Sequence, residues 1–160
     1  MSARAKELAD QFEATNAEVL AFVSACDDAT WNTSCEGEGW SICAVAAHIA
    51  DGYTGVTGWI RDIVAGRPVT LTPDQLNESN ATRATTNAGR SRDAVLTALR
   101  ERAAAAAELV RLLSDEELAR GVPFGLARGE TVTAAWLAEN ALVGHPRRHL
   151  ASMRASAGTT

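Results

Sequence analysis

SICAVAAHIADGYTGVTGWIRDIVAG, residues 41–66, places apolar side chains at Ile42, Val45, Ile49, Tyr53, Val56, Ile60 and Ile63. Successive members lie three or four residues apart, the spacing that gathers side chains along one side of an α-helix. Ser41 offers an N-cap oxygen just before the stripe, and Gly66 and Pro68 close it, so a helix is expected from Ile42 to about Ala65. One residue departs from the apolar pattern: His48, which borders the inward stripe.

The same spacing is read on both sides of this segment. Leu8, Phe12, Val19, Leu20 and Val23 predict a helix from Ala3 to Ala25. A loop rich in Asp, Thr, Asn, Ser and Gly follows, Asp27 to Gly39, with Trp31 pinned to the core. Beyond Pro68 the polar stretch from Thr70 to Gly89 carries only a short helix start at Pro73-Asp74. A strong helix is expected from Ser91 to Leu113, where an alanine run gives high helix propensity. Ser114-Asp-Glu-Glu opens a short turn, and Gly121, Pro123, Gly125 and Gly129 mark a loop. Thr131 or Thr133 caps a last helix reaching about Met153. The only strand-like alternation is Thr131-Val-Thr. Four main helices make this an all-α four-helix bundle, one domain over residues 1–155 with a frayed tail at 156–160.

The totals fit that reading. A chain of 160 residues buries roughly 68–70% of its unfolded surface and folds without staples. A net charge of -5 supplies no positive field for nucleic acid or an anionic membrane surface. Charged residues within the first twenty interrupt any signal-peptide core, and the apolar run from Ile42 to Ala50 falls short of the ~20 residues of a membrane span. Cys26, Cys35 and Cys43 form no close pair, which suits a reducing cytoplasm. No phosphate-cradling glycine loop, dinucleotide fingerprint or Ser-His-Asp spacing is present.

The chain has three histidines, His48, His145 and His149. The last two stand four apart, so on a helix their Cβ atoms lie ~5–6 Å from each other and both rings can reach one ion. His48 can add a third ligand from the helix at 42–65. Three protein ligands leave a coordination position open, as in catalytic zinc sites, and imidazole also accepts nickel or iron. Pro146 removes a backbone hydrogen bond inside the last helix, so His145 is expected at a kink or local restart. Asp51, three residues after His48, is a candidate to hold the other ring nitrogen of a ligating histidine. Glu139 is a candidate base or extra ligand. Arg147 and Arg148 diverge by about 100°, so only one of them can face the ion and hold a substrate carboxylate or a cofactor.

Gly39-Trp40-Ser41-Ile42, then Val45-Ala46-Ala47-His48-Ile49-Ala50-Asp51, resembles a signature segment of the DinB-like superfamily, which includes mycothiol-dependent maleylpyruvate isomerases and related thiol transferases. His145-Pro-Arg-Arg-His149-Leu150 is similar to its second signature, an H-x-x-x-H on the last helix. The resemblance implies a DinB-like four-helix bundle holding a divalent metal on His48, His145 and His149. It further implies a homodimer and a small-molecule thiol, mycothiol or a relative, activated for S-transfer or isomerisation of an electrophile. Two alternatives stand beside that expectation: a metal-water hydrolase acting on a reactive metabolite, and a non-catalytic ligand-binding bundle.

Overall fold

The structure, a computed structural model, describes residues 2–158. Helix α1, Ala3–Ala25, starts where the Ser2 hydroxyl accepts the Ala5 N–H. Helix α2, Asp28–Trp31, is a single turn capped by Asp27 within the segment read as loop. It buries Trp31, whose Nε1–H donates to the Arg90 carbonyl at 3.2 Å. Helix α3, Ile42–Val64, is capped by Ser41 as the sequence predicts. It ends at Gly66 with φ 73°, where the Arg67 N–H reaches back to the Asp62 carbonyl at 2.8 Å. Glycine adopts that left-handed turn without the Cβ penalty other residues meet.

Helix α4, Pro73–Asn87, is longer than the expected short helix. A complete capping box, Thr72 with Gln75, and Pro73 in the first turn nucleate it despite its polar sequence. Helix α5 covers Arg92–Arg111 and α6 Asp115–Ala119, the latter opened by a Ser114–Glu117 capping box. The glycine-marked loop holds a small antiparallel hairpin of β1, Gly121–Pro123, and β2, Thr131–Thr133, with Val122 opposite Val132. Gly125 at its tip lies so close to residues 70–71 that a Cβ would stand 2.4 Å from the Leu71 carbonyl oxygen. The Val69 N–H donates to the Pro123 carbonyl at 3.1 Å and the Gly125 N–H to the Val69 carbonyl at 2.6 Å, and these bonds fasten the hairpin to the connection before α4.

The last helix has three parts. α7, Ala134–Leu137, is capped by Thr133; a π-helical segment, Ala138–Gly144, follows; α8, His145–Ser156, completes it. The irregularity foreseen at Pro146 is therefore absorbed one turn early. The His145 N–H reaches the Asn140 carbonyl, five residues back, and α8 restarts with Pro146 in its first turn, where a missing N–H does no harm. Helix α8 runs to Ser156 and its last turn closes at Gly158; of the expected tail, Thr159 and Thr160 lie outside the described residues.

Helix α5 packs on both α1 and α3, and α8 also packs on both. The four long helices thus stand in the order α1, α5, α3, α8 around the core, with α1 and α3 diagonally opposed. Across that diagonal the Phe12 and Tyr53 rings meet edge to face, 4.9 Å between centroids. The Tyr53 hydroxyl donates to Asn16 Oδ1 at 3.0 Å, so the buried phenol is satisfied. Leu8, Ile49, Leu99 and Met153 are also fully buried, each gaining ~1.5–3 kcal/mol from leaving water. Helix α4 lies outside this ring against α3, and its buried residues are only Ala84 and Asn87. No helix among the described residues is long and apolar enough to cross a membrane.

Candidate metal centre and its cavity

His48 comes from the N-terminal third of α3, His145 and His149 from the first two turns of α8. Their Nε2 atoms converge: His145 Nε2 lies 3.2 Å from His48 Nε2 and 3.0 Å from His149 Nε2. Among the described residues these three form the one cluster of histidine, cysteine or carboxylate groups able to share an ion, with all ligand atoms within 4.8 Å of one another. Imidazole nitrogens bound ~2.0–2.1 Å from one metal stand roughly 3.0 to 3.4 Å apart, the separation His145 keeps from each of the other two.

Electrostatics favour the same fit. Burial, with repulsion from His149, pushes His48 down to about 4 and His145 to about 3. Both rings are neutral at physiological pH and have a lone pair to offer. Two neighbouring rings aim at the single His145 Nε2, which has only one proton or one lone pair for them. A shared cation satisfies all three nitrogens at once.

Two of the rings are held from behind. Trp40 meets the His48 ring edge to face at 5.4 Å. His149 Nδ1 lies 2.7 Å from Glu38 Oε1, and the Ser152 hydroxyl donates to Glu38 Oε2 at 2.6 Å. Burial pushes the Glu38 carboxyl up, but its hydrogen bonds to Ser152 and His149 outweigh this and hold it below the ordinary carboxylate range. As a carboxylate Glu38 accepts the Nδ1 proton, which leaves Nε2 of His149 bare and turned to the cluster.

Glu38 was missed in the sequence reading, which gave this buttressing role to Asp51. Asp51 does lie on the same side of α3 as His48, but Arg102 of α5 and Asn87 of α4, the latter at 3.1 Å, capture its carboxylate. Glu139 is exposed and paired with Arg4 at 3.3 Å. Of the two arginines, Arg148 lines the cavity beside the histidines and Arg147 is exposed elsewhere, in line with the expected divergence. The one available signal for Glu38 was its place two residues before Trp40, at the entrance to α3.

His48 and His145 open onto a cavity of about 520 Å3 enclosed by α3, α4, the hairpin and the last helix. Its polar lining includes Asp51, Asn80, Arg83 and Arg148. Trp59, Leu76, Phe124, Leu126 and Trp136 line the rest. Gly52 keeps the floor thin beside the cluster, for a Cβ there would lie 3.8 Å from the His145 ring.

The sequence profile of the DinB superfamily matches residues 11–153, from the middle of α1 to the end of the last helix. The chain belongs to the DinB superfamily. No curated protein matches it by sequence. Among solved structures it resembles YfiT from Bacillus subtilis, described as "a probable metal-dependent hydrolase with an unusual four-helix bundle topology". The TM-score is 0.79 at 20% identity, over 100% of this chain and 91% of that one. It also resembles the mycothiol-dependent maleylpyruvate isomerase, with a TM-score of 0.69 at 20% identity, and spans 65% of that longer chain. An uncharacterised protein from Clostridium difficile 630 matches with a TM-score of 0.75 at 16% identity, over 97% of this chain and 96% of that one. At these identities the likeness establishes the DinB-type four-helix fold.

Proposed function

We propose that this DinB-superfamily chain is a divalent-metal-dependent enzyme that activates a low-molecular-weight thiol, mycothiol-like in kind, for S-transfer to or isomerisation of a small electrophile. The observation that carries the proposal is the convergence of three Nε2 atoms at the inner end of a cavity large enough for a substrate. His48, His145 and His149 would hold a zinc ion, whose Lewis acidity would lower the pKa of a bound thiol so that its proton passes to solvent with no carboxylate needed as base. The carboxylates nearby support that choice. Asp51 is engaged by Arg102 and Asn87, and Glu38 by His149 and Ser152. Arg148 and Asn80 can orient a polar ligand, while the aromatic wall offers an apolar surface to the rest of it. Three unpaired, buried cysteines suit a reducing cytoplasm, where such thiols are held.

Hydrolysis is a second reading of the same centre. It is favoured by the fold shared with YfiT along nearly the whole of both chains.

Elemental analysis of protein purified without an affinity tag is expected to find about one divalent ion per chain, lost in His48→Ala and in His149→Ala. Full retention in both variants would sink the site. Metal-loaded protein supplied with mycothiol or bacillithiol and a generic electrophile should form the conjugate. Cleavage of ester or amide substrates without any thiol would replace this reading with the hydrolytic one.

A further inference from the structure

The cavity has a direction. Asn87, at the end of α4, donates to Asp51 near the start of α3, so the two helices run antiparallel along the cavity wall. Arg83, one turn before Asn87, is near enough for its charge to act on His48, and Leu76, on the order of 10 Å further along α4, lies toward the end of α3. On α3 itself His48 precedes Trp59 by eleven residues, roughly 16 Å of helix. Trp59 meets the hairpin ring Phe124 edge to face at 5.7 Å, which places the hairpin at that same far end. The last helix repeats the order, with Trp136 before the π segment and Arg148 beside His145. All three helices thus turn from polar at the cluster to apolar at the hairpin, and α4 and the last helix each bring an arginine to the cluster end.

The cationic end is uncompensated. Asp51 is already matched by Arg102, and no carboxylate among the described residues pairs with Arg83 or Arg148. Both guanidiniums act at a distance on the cluster, Arg83 on His48 and Arg148 on His145. At the middle of the floor stands Gly55, where a Cβ would meet nothing within 4 Å. A helical glycine there admits no neighbouring element; it widens the cavity.

We infer that the cavity binds an anionic molecule with a flat apolar body, its carboxylate or equivalent anion held by Arg83 and Arg148 beside the histidines and its rings among Trp59, Phe124 and Trp136. This names the substrate class of the proposed enzyme, and it rests on that reading only for which end of the ligand reacts. At the ~30 Å3 that each water occupies in the liquid, the volume accommodates roughly 15 to 20 non-hydrogen atoms. An aromatic wall rewards edge-to-face and stacked rings, and a forked guanidinium recognises a planar carboxylate on two oxygens. A neutral ligand of the same shape leaves both arginines unmatched.

The test uses the full chain, after chelation and again after loading with zinc, titrated with naphthalene-2-carboxylate and with naphthalene-2-methanol by calorimetry and tryptophan quenching. The carboxylate should bind the chelated chain at least roughly tenfold more tightly than the alcohol. Arg83→Gln and Arg148→Gln, both at exposed positions that preserve the fold, should each weaken the carboxylate by about tenfold and leave the alcohol unchanged. Gly55→Leu should abolish binding of both. Equal affinities for acid and alcohol, or undiminished carboxylate binding in Gly55→Leu, would overturn the inference. Zinc uptake measured alongside separates the two claims. Charge-selective probe binding without zinc uptake removes the metal reading and supports this one; zinc uptake with charge-blind binding removes this one alone.

Discussion

Helix α3 divides the molecule into two unlike sides. Toward α1 and α5 it is closed: Phe12, Tyr53 and Leu99 are fully buried, and even the Tyr53 hydroxyl has its partner inside. Toward α4 and the one face of the last helix that carries Asn140, His145 and Arg148 it is open, and the inner residues of α4 from Leu76 to Arg83 face a cavity in place of a core. The apolar contacts that hold the fold and the polar groups that face a ligand are thus placed on opposite flanks of one helix. Stability can be high on one flank while the other remains free to admit and release small molecules.

The sharpest way to break this contrast is a truncation on each flank. Leu99→Ala should lower stability by ~2–5 kcal/mol, read as a lower urea midpoint, because a fully buried side chain leaves a cavity behind. Zinc bound per folded chain should not change. Leu76→Ala, on the open flank, should cost under ~1 kcal/mol, since its side chain is only partly buried against empty space. Equal losses in the two variants would show that the flanks are not distinct.

Acid should strike the open flank first. His48 and His145 are held at about 4 and about 3, below the ordinary value of 6.5, so between these limits the unfolded chain binds more protons than the folded one. Their contribution to stability is complete above pH 6.5 and is lost as the pH falls from 6.5 toward 3. The loss is up to ~1.4 kcal/mol per pH unit for each histidine. Urea melts of the chelated chain at pH 7, 6, 5 and 4 should show this slope. His48→Gln should flatten it, whereas Leu99→Ala should shift the curve without changing its slope.

Glu38→Ala should act on the site more than on the fold. Losing the group that fixes the His149 ring is expected to reduce zinc affinity about 10- to 100-fold, measured by competition with a chromophoric chelator. Asp51→Asn is the control, because Asp51 braces α4 and α5 and touches no ring of the cluster.

The two flanks also differ in how far they could be read from sequence. The closed flank follows from spacing alone: the stripe from Ile42 to Ile63, the Ser41 cap and Gly66 all appear in α3 as the pattern predicts. So does the convergence of His145 with His149, which four-residue spacing imposes, and the bundle that brings His48 to them. What escaped was set by contacts between distant segments. Glu38 meets His149 across 111 residues of chain. Asp51 has the right direction on α3, yet Arg102 and Asn87 decide what its carboxylate does. Helix α4 was underestimated because its signal is a capping box and not an apolar face. Of the hairpin, β2 shows in the sequence as the alternation Thr131-Val-Thr, while β1 hides among the glycines and Pro123 of the loop because three residues are too few to announce a strand.

Glu139→Gln should have the smallest effect of all. The carboxylate is exposed, and its ion pair with Arg4 lies on the outer surface, where such pairs contribute ~0–1 kcal/mol. A stability change within ~0.5 kcal/mol and unaltered zinc binding and turnover are therefore expected. The prediction tests the π segment as well as the residue. If Ala138–Gly144 wound as ordinary α-helix, everything before His145 would turn relative to α8, and Glu139 would leave Arg4 for another face. A large loss of turnover in Glu139→Gln with zinc retained would mean that this turn is made during the reaction, and the outer surface would then be coupled to the open flank.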